Sequence, residues 1–557
     1  MRYGTVSYRE QDSHLGESIV ETKANTGHPR RWAILAVLVV SLLVVVLDNT
    51  VLNVALKVLA DPQQGLGATQ SQLEWAINSY TLVFAGMLFT FGVLGDRLGR
   101  KKILIGGLVL FALTSLVSAY ARDPGQLIAA RAVMGLGGAA IMATTLPIIT
   151  NVFDPRERAK AIGTWAGAVG IGVALGPILG GALLENFWWG SIFMINVPII
   201  AVGLAFVTTI VPESKNPNPG RVDLPGVLLS IVGLAALVYG IIEGGEAGFD
   251  TASVWAWIAL GVAALGVFVW WENRTDHPSL DVSLFRIPRF SAAVSLVGIS
   301  FFAAMGVFFF MAFYLQLVRG YSPLQTGLMM LPFAVAQLVF APLSASMVKR
   351  FGGKAVSAFG ISVVSLATLG YLVLDETSPI WIVVVMFFIF GLGMANIMPP
   401  ATESIMASLP RERAGVGSAV NNTVRQVGGA LGVAILGSVL SSVYRSNMDS
   451  TVAALPDQAP AAARDAVSES VAGAHAVAEN LTGTPLASFA PALVKAADAA
   501  FVNAVHAAAI GSALMGLVGL LVVLRWLPGK AKPAPVAPAE AERAREASHK
   551  VEAVEVG

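Results

Sequence analysis

The sequence predicts an all-α integral membrane protein: two pseudo-symmetric six-helix halves with two helices inserted between them, fourteen transmembrane helices in all. Three observations predict it. Of 557 residues, 55% are hydrophobic and only 13% charged, about half the ~25% charged fraction of an ordinary soluble domain. Fourteen apolar stretches each approach the roughly 20 residues needed to cross ~30 Å of hydrocarbon. The pentapeptide PRERA occurs twice, at 155–159 and 410–414, each time before a long glycine-rich stretch.

Residues 1–31 form a polar segment of mixed charge, without the short apolar core and small-residue cleavage site of a signal peptide. The first apolar stretch is therefore expected to remain a membrane helix. The spans read as 32–56, 73–95, 103–120, 125–147, 159–183 and 190–211, an N-terminal half covering 32–211. A two-helix insertion over 212–289 holds spans 223–242 and 252–271. The C-terminal half, 290–526, holds 290–318, 323–348, 355–374, 379–402, 414–442 and 502–526. Within it, 443–500 is expected as a long, alanine-rich extracellular loop able to make amphipathic helices. The tail 527–557, rich in Pro and Ala, is expected to be disordered.

Two further pairs of segments support the duplication. MGLGGAAIM (134–142) matches FGLGMANIM (390–398), and GDRLGRKK (95–102) has a degraded counterpart in VKRFGGKA (348–355). Orientation follows from Lys and Arg. With the N-terminus in the cytoplasm, the six inner loops hold seventeen, and the short outer loops only Lys57, Arg122 and Arg319. Both termini are thus expected on the cytoplasmic side of the cell membrane.

Composition also excludes. A formal net charge of +1 gives no electrostatic argument for nucleic acid. There is no cysteine, and the six histidines, at 14, 28, 277, 475, 506 and 549, lack ligand spacing. No metal and no cofactor are expected, and no G-x-x-x-x-G-K-[ST] loop for ATP is present. The spans carry no nucleophile–base constellation for a membrane enzyme, and the asymmetry of the halves argues against a channel.

GVLGDRLGRKK (92–102) follows span two. Gly92 is expected to let helices approach and Asp96 to close the helix, while Arg97, Gly99, Arg100, Lys101 and Lys102 crowd the cytoplasmic face. The stretch resembles the G-x-L-x-D-R-x-G-R-[KR]-[KR] signature of the major facilitator superfamily. That resemblance implies the major-facilitator fold and a gating latch between the halves, with Asp96 facing span thirteen after Arg411-Glu412-Arg413. Positive-inside anchoring alone would explain the basic residues, though not the Asp or the glycines. In the second half Lys349 stands where Asp96 stands in the first.

GVALGPILGG (172–181) in span five places Gly172, Gly176 and Gly180 on one helix face, with Pro177 and Gly181 beside them. A small-residue packing face accounts for this spacing. The stretch also resembles the G-x-x-x-G-P-x-x-G-G motif that marks exporting antiporters within the superfamily.

LLVVVLDNTVLNVAL (42–56) buries Asp48 among aliphatics. At ~1.5 Å per residue, Asp48 lies about 24 Å from the inner boundary and Arg131 about 9 Å below the outer one, so their depths agree to a few Å. A charge at that depth is disfavoured by about 2.5–3.5 kcal/mol and implies a partner. LDNTVLNVAL resembles the L-D-x-T-x-x-N-V-A-L-P pattern of the fourteen-span drug:proton antiporters, with Lys57 replacing the final proline. Arg131 resembles the arginine of that superfamily's L-x-x-x-R-x-x-x-G. The resemblance implies a proton-coupled exporter of amphipathic organic compounds or antibiotics, with Asp48 and Arg131 as the coupling site. A static ion pair remains the alternative reading of the same two residues. Arg131 aligns with Phe387 in the second half, so coupling is expected in the first half only.

Span thirteen adds Asn421, Asn422 and Arg425 near the midplane without an acid. These, with Asn53, Trp75, Tyr80, Tyr314 and Gln316, are candidate cavity liners; interface-belt aromatics explain Trp75 and Tyr80 equally well. The expected partners are lipophilic small molecules and membrane lipids, with the chain working as a monomer driven by the proton gradient. A dedicated exporter of one metabolite would use the same residue types. Sodium is the alternative coupling ion, and one Asp beside an Arg without a dense oxygen cluster favours the proton.

Overall fold

The computed structural model describes residues 28–216, 222–276, 278, 280–409, 414–455, 459–481 and 487–529; several side chains between 155 and 174 and at 414–418 are not described. The first half comprises α1 (Arg31–Ala60), α2 (Gln70–Leu98), α3 (Arg100–Ala119), α4 (Pro124–Val152), α5 (Pro155–Asn186) and a sixth span broken at Ile195 into α6 (Ser191–Met194) and α7 (Asn196–Ile210). The inserted pair is α8 (Leu224–Ala247) and α9 (Ala252–Glu272). The second half comprises α10 (Pro288–Phe313), α11 (Pro323–Phe351), α12 (Gly353–Gly370), α13 (Ile380–Ala407), α14 (Ala414–Ala453) and α17 (Ala490–Trp526), with the short α15 (Ala461–Glu469) and α16 (Val471–Leu481) between the last two.

Among the described residues, thirteen helical segments are long and apolar enough to cross a membrane. With α5, 32 residues long, the fourteen expected spans are present. Helices are the structure that satisfies every backbone group inside lipid, and their ends are closed by local chemistry. Thr69 caps α2 in a reciprocal box with Gln72, and Ser322 caps α11 the same way with Gln325, followed by Pro323. The apolar surface faces outward: Trp255, Leu260, Val262 and Trp270 of α9 are all exposed.

The duplication is geometric as well as textual. Gly135 of α4 lies against the Tyr80 carbonyl of α2, and Gly391 of α13 against the Phe333 carbonyl of α11. Gly137 abuts the Gly107 carbonyl of α3, and Gly393 the Gly360 carbonyl of α12. A side chain at any of the four would press on main chain that cannot rotate away. Likewise Gly176 of α5 approaches the Leu47 carbonyl of α1, and Gly432 of α14 the Phe302 carbonyl of α10. These pairings align Asp48 with Ala303.

In two regions the structure adds to the sequence reading. Residues 443–500 are largely helical: α14 runs on to Ala453 and α17 begins at Ala490, with α15 and α16 packed against these extensions. The alanine run folds because extended ends of two spans give it a surface to bury against, as at Val467, Ala474 and Ala478. The inserted pair does not stand apart. Helix α8 fills the groove between α2 and α14, where Leu82, Val238, Ile242, Ala430 and Ala434 form a separate core. The tail beyond 529 and the segment before 28 lie outside the described residues.

Candidate functional site

The structure brings Asp48 and Arg131 together. Asp48 on α1 is 3% exposed and Arg131 on α4 is 1% exposed, and Arg131 Nη1 donates to Asp48 Oδ2. The other carboxylate oxygen accepts from Asn196 Nδ2 at 3.3 Å, and Asn196 also donates to Ser115 Oγ at 3.3 Å. Arg131 Nε donates to the Ala76 carbonyl of α2 at 3.1 Å. Its guanidinium lies 4.4 Å from the Tyr80 ring centroid and 5.9 Å from that of Phe193. Six elements of the first half, α1, α2, α3, α4, α6 and α7, thus surround one buried ion pair. A buried pair of this kind is stabilising only when its remaining hydrogen-bonding positions are filled, and here amide, carbonyl and aromatic faces fill them.

Sequence reading missed Asn196 as a site residue. Its available signal was an amide within an apolar span, in FMINVP, at the point where α6 breaks into α7. Ser115 carried no signal at all. Tyr80, expected as a cavity liner, is fully buried against Arg131 and belongs to the ion-pair site.

The other candidate liners are scattered. Trp75 packs on Tyr239 of the inserted α8, at 6.1 Å between centroids. Asn53 donates to the Asn49 carbonyl of its own helix at 3.3 Å. Tyr314 is buried and donates to the Asp375 carbonyl at 2.8 Å, tying α10 to the loop before α13. Gln316 is buried and donates to the Val54 carbonyl at 2.9 Å, across the two halves. Asn421 and Asn422 are half-buried on α14. Arg425 sits with its guanidinium 4.5 Å from the Phe301 ring centroid, so a π face takes the place of the missing acid.

The 92–102 loop is rebuilt in three respects. Gly92 faces open space, and the close approach is made by Gly95 on Thr144. Asp96 does not end α2, which continues to Leu98 and stops at Gly99, whose φ of 119° favours glycine. Asp96 accepts from Arg100 Nε at 2.9 Å and lies 3.5 Å from Asn216 Nδ2, whose segment follows α7. Lys101 donates through Nζ to the Thr208 carbonyl at 2.8 Å, and Arg97 is exposed. The described bonds of this loop therefore join α2 and α3 to α4, where Arg100 Nη1 donates to the Pro147 carbonyl at 3.4 Å, and to the end of α7; the expected partners Arg411, Glu412 and Arg413 lie outside the described residues.

Gly172, Gly176 and Gly180 pack on α1, against Val46, Thr50 and Val51. Gly181 meets the Leu324 backbone at the start of α11, and the Pro177 carbonyl meets Gly327. The motif thus packs α5 on α1 with one face and on the opposite half with the next residues. A second seam, α2 on α14, has Gly437 against Glu74, and Gln70 Nε2 donates to the Gly437 carbonyl at 3.2 Å. Both seams lie toward the face opposite Arg31 and Trp526, and close the bundle there.

The Major Facilitator Superfamily profile matches residues 38–433. The multidrug efflux pump LfrA of Mycolicibacterium smegmatis is 36% identical over 91% of this chain and 99% of its own length. The tetracenomycin C resistance and export protein of Streptomyces glaucescens is 32% identical over 76% of this chain and 78% of its own. Among solved structures, an inward-facing bacterial homologue of the human lysosomal transporter Spinster matches with TM-score 0.62 at 17% identity, covering 91% of this chain and 99% of that one. The xylose transporter XylE of E. coli matches with TM-score 0.54 at 13% identity, over 91% and 99% respectively. These two share the fold.

Proposed function

This chain belongs to the Major Facilitator Superfamily, and from that premise we propose that it is a proton-coupled antiporter exporting amphipathic organic compounds, antibiotics among them, across the bacterial cytoplasmic membrane. Both termini face the cytoplasm, the chain works as a monomer, and the proton gradient supplies the energy without a cofactor. The observation that carries the reading is the buried Asp48–Arg131 pair in one half alone.

Its chemistry suits a coupling site. Protonating Asp48 cancels its charge and releases the ionic part of its hold on Arg131. The guanidinium then still has the Ala76 carbonyl and the faces of Tyr80 and Phe193, so it is not abandoned in a low-dielectric interior. Because α1, α4 and α7 all contribute, a change of charge state at one carboxylate alters the packing of the whole half against its partner. The names of LfrA and the tetracenomycin C exporter support drug-like cargo. The second of these names also favours a narrower reading, a dedicated exporter of one metabolite.

Everted membrane vesicles test the proposal. A pH gradient, acid inside, should drive ethidium into them with alkalinisation of the lumen, and a protonophore should abolish both. A sodium gradient of equal size should drive neither. Ethidium movement indifferent to the protonophore would contradict proton coupling. A panel of unrelated lipophilic cations and neutral antibiotics separates broad from dedicated export.

A further inference from the structure

A cavity of about 940 Å³ lies outside the closed seams, between the α1–α2 loop, the end of α10, the loop before α13, and α16 with the start of α17. Its volume is within the range of sites for drug-sized molecules, ~300–1,000 Å³. Lys57, at its floor, donates from Nζ to the Gln316 carbonyl at 2.8 Å. Gln316 Nε2 returns a bond to the Val54 carbonyl at 2.9 Å. The Gln316 carbonyl is free for Lys57 because it lies in the π-helical last turn, Tyr314–Val318, where carbonyls lack intrahelical partners. These two bonds clasp α1 of one half to the end of α10 in the other. Any movement that parts the halves at this face must break them.

The walls suit a molecule with an apolar body and a positive charge. Leu317 and Val494 offer apolar surface, while Asp61, Glu376, Glu479 and Asp498 stand against Lys57, Lys495 and His475. One of these carboxylates, Asp498, is paired with His475 at 2.7 Å. Asp61 and Glu479 are the carboxylates whose charge reaches Lys57.

We propose that this cavity is the release vestibule for an amphipathic organic cation, and that Lys57 is the gate residue at its floor, closed on Gln316 and turning to Asp61 and Glu479 when the halves part. The proposal rests on the export reading and on its orientation. It gives a role to the residue that departs from the antiporter pattern and to the helical cap formed by α15, α16 and the start of α17.

The absence of cysteine makes engineered cysteines unique reporters. In the first arm, spin labels at Phe187→Cys and Val373→Cys, exposed positions on opposite halves, report the separation of the halves at this face without any substrate. Lys57→Met should raise the ratio of long-distance to short-distance populations about tenfold, the scale of a lost charged hydrogen bond, and Lys57→Arg should restore it. Gln316→Met, which deletes only the return bond, should raise it roughly threefold. A ratio within about twofold of wild type in both Lys57→Met and Gln316→Met overturns the gate. In the second arm, ethidium should slow maleimide labelling of Val494→Cys, and Glu376→Gln with Glu479→Gln should remove that protection. Ethidium exported without protecting residue 494 overturns the vestibule while the export reading stands. Export of no member of the panel of lipophilic cations and neutral antibiotics overturns the export reading and the vestibule with it. Ethidium alone not exported overturns the vestibule for an organic cation, and the first arm still decides the gate.

Discussion

The two halves share one scaffold and differ in what it encloses. In each, glycines of the fourth and fifth helices sit on main-chain carbonyls of their neighbours at matching positions: Gly135 and Gly391, Gly137 and Gly393, Gly176 and Gly432. In the first half this packing surrounds Asp48, Arg131 and Asn196. In the second, Ala303 and Phe387 occupy the corresponding places, both fully buried. Phe387 stacks on Phe308 at 5.9 Å, and Phe308 meets Phe333 edge-on at 5.0 Å. Close packing of helices in lipid is thus set by small residues repeated in both halves. The buried carboxylate–guanidinium pair is an addition to one copy, whereas Arg425 of the second half lies on the Phe301 ring. A half with an aromatic core is rigid against charge, whereas a half with a carboxylate can respond to protons.

Several variants break or sharpen that contrast. The largest effect is expected from Arg131→Ala, which strands a buried carboxylate and should cost about 3–5 kcal/mol, read as a fall in thermal midpoint and yield in detergent. Gly137→Val and Gly393→Val should each cost about 1–3 kcal/mol by overpacking. If the scaffold is truly shared, their losses will be similar; a large difference would break the symmetry argued here. Phe387→Leu should cost about 1–2 kcal/mol through a partly filled cavity yet leave pH-gradient-driven transport per folded molecule unchanged. Loss of coupling in that variant would place proton chemistry in the second half too.

The smallest effect is in the cap. Burial raises the Glu469 carboxyl above its ordinary value, against the opposing pull of Arg445. A carboxyl raised on folding contributes stability present below its unfolded pKa and lost as pH rises through the folded one. The protection factors of the α15 amides, taken against their intrinsic exchange rates, should therefore fall with rising pH, and Glu469→Gln should flatten that dependence.

Much of this was legible in the sequence, for identifiable reasons. Span number follows from a length that the hydrocarbon fixes, and the duplication from glycines that tolerate no side chain. Asp48 and Arg131 could be paired from depth alone, because helix rise is constant and burial of a lone charge is costly. The seams between the halves were not legible. Gln316 and Trp75 looked like cavity residues, yet one clasps the halves and the other packs on an inserted helix, since which face a span turns to a distant one depends on the assembled bundle. Asp96 likewise found Arg100 and Asn216, close in space through the α7 end, and the helices readable in the alanine-rich 443–500 segment did not announce the extended ends of α14 and α17 that they pack against.

The most direct test of the central claim, that a single carboxylate in one half couples protons to export, is Asp48→Asn in proteoliposomes. Ethidium transport would be driven in turn by a pH gradient and by its own concentration difference, with lumenal pH recorded. The account predicts loss of pH-driven transport by about a hundredfold, the scale of losing a positioned proton-transfer group, with downhill exchange and ethidium binding retained. Wild-type transport against the pH gradient in Asp48→Asn would contradict it and reduce the Asp48–Arg131 pair to a structural brace.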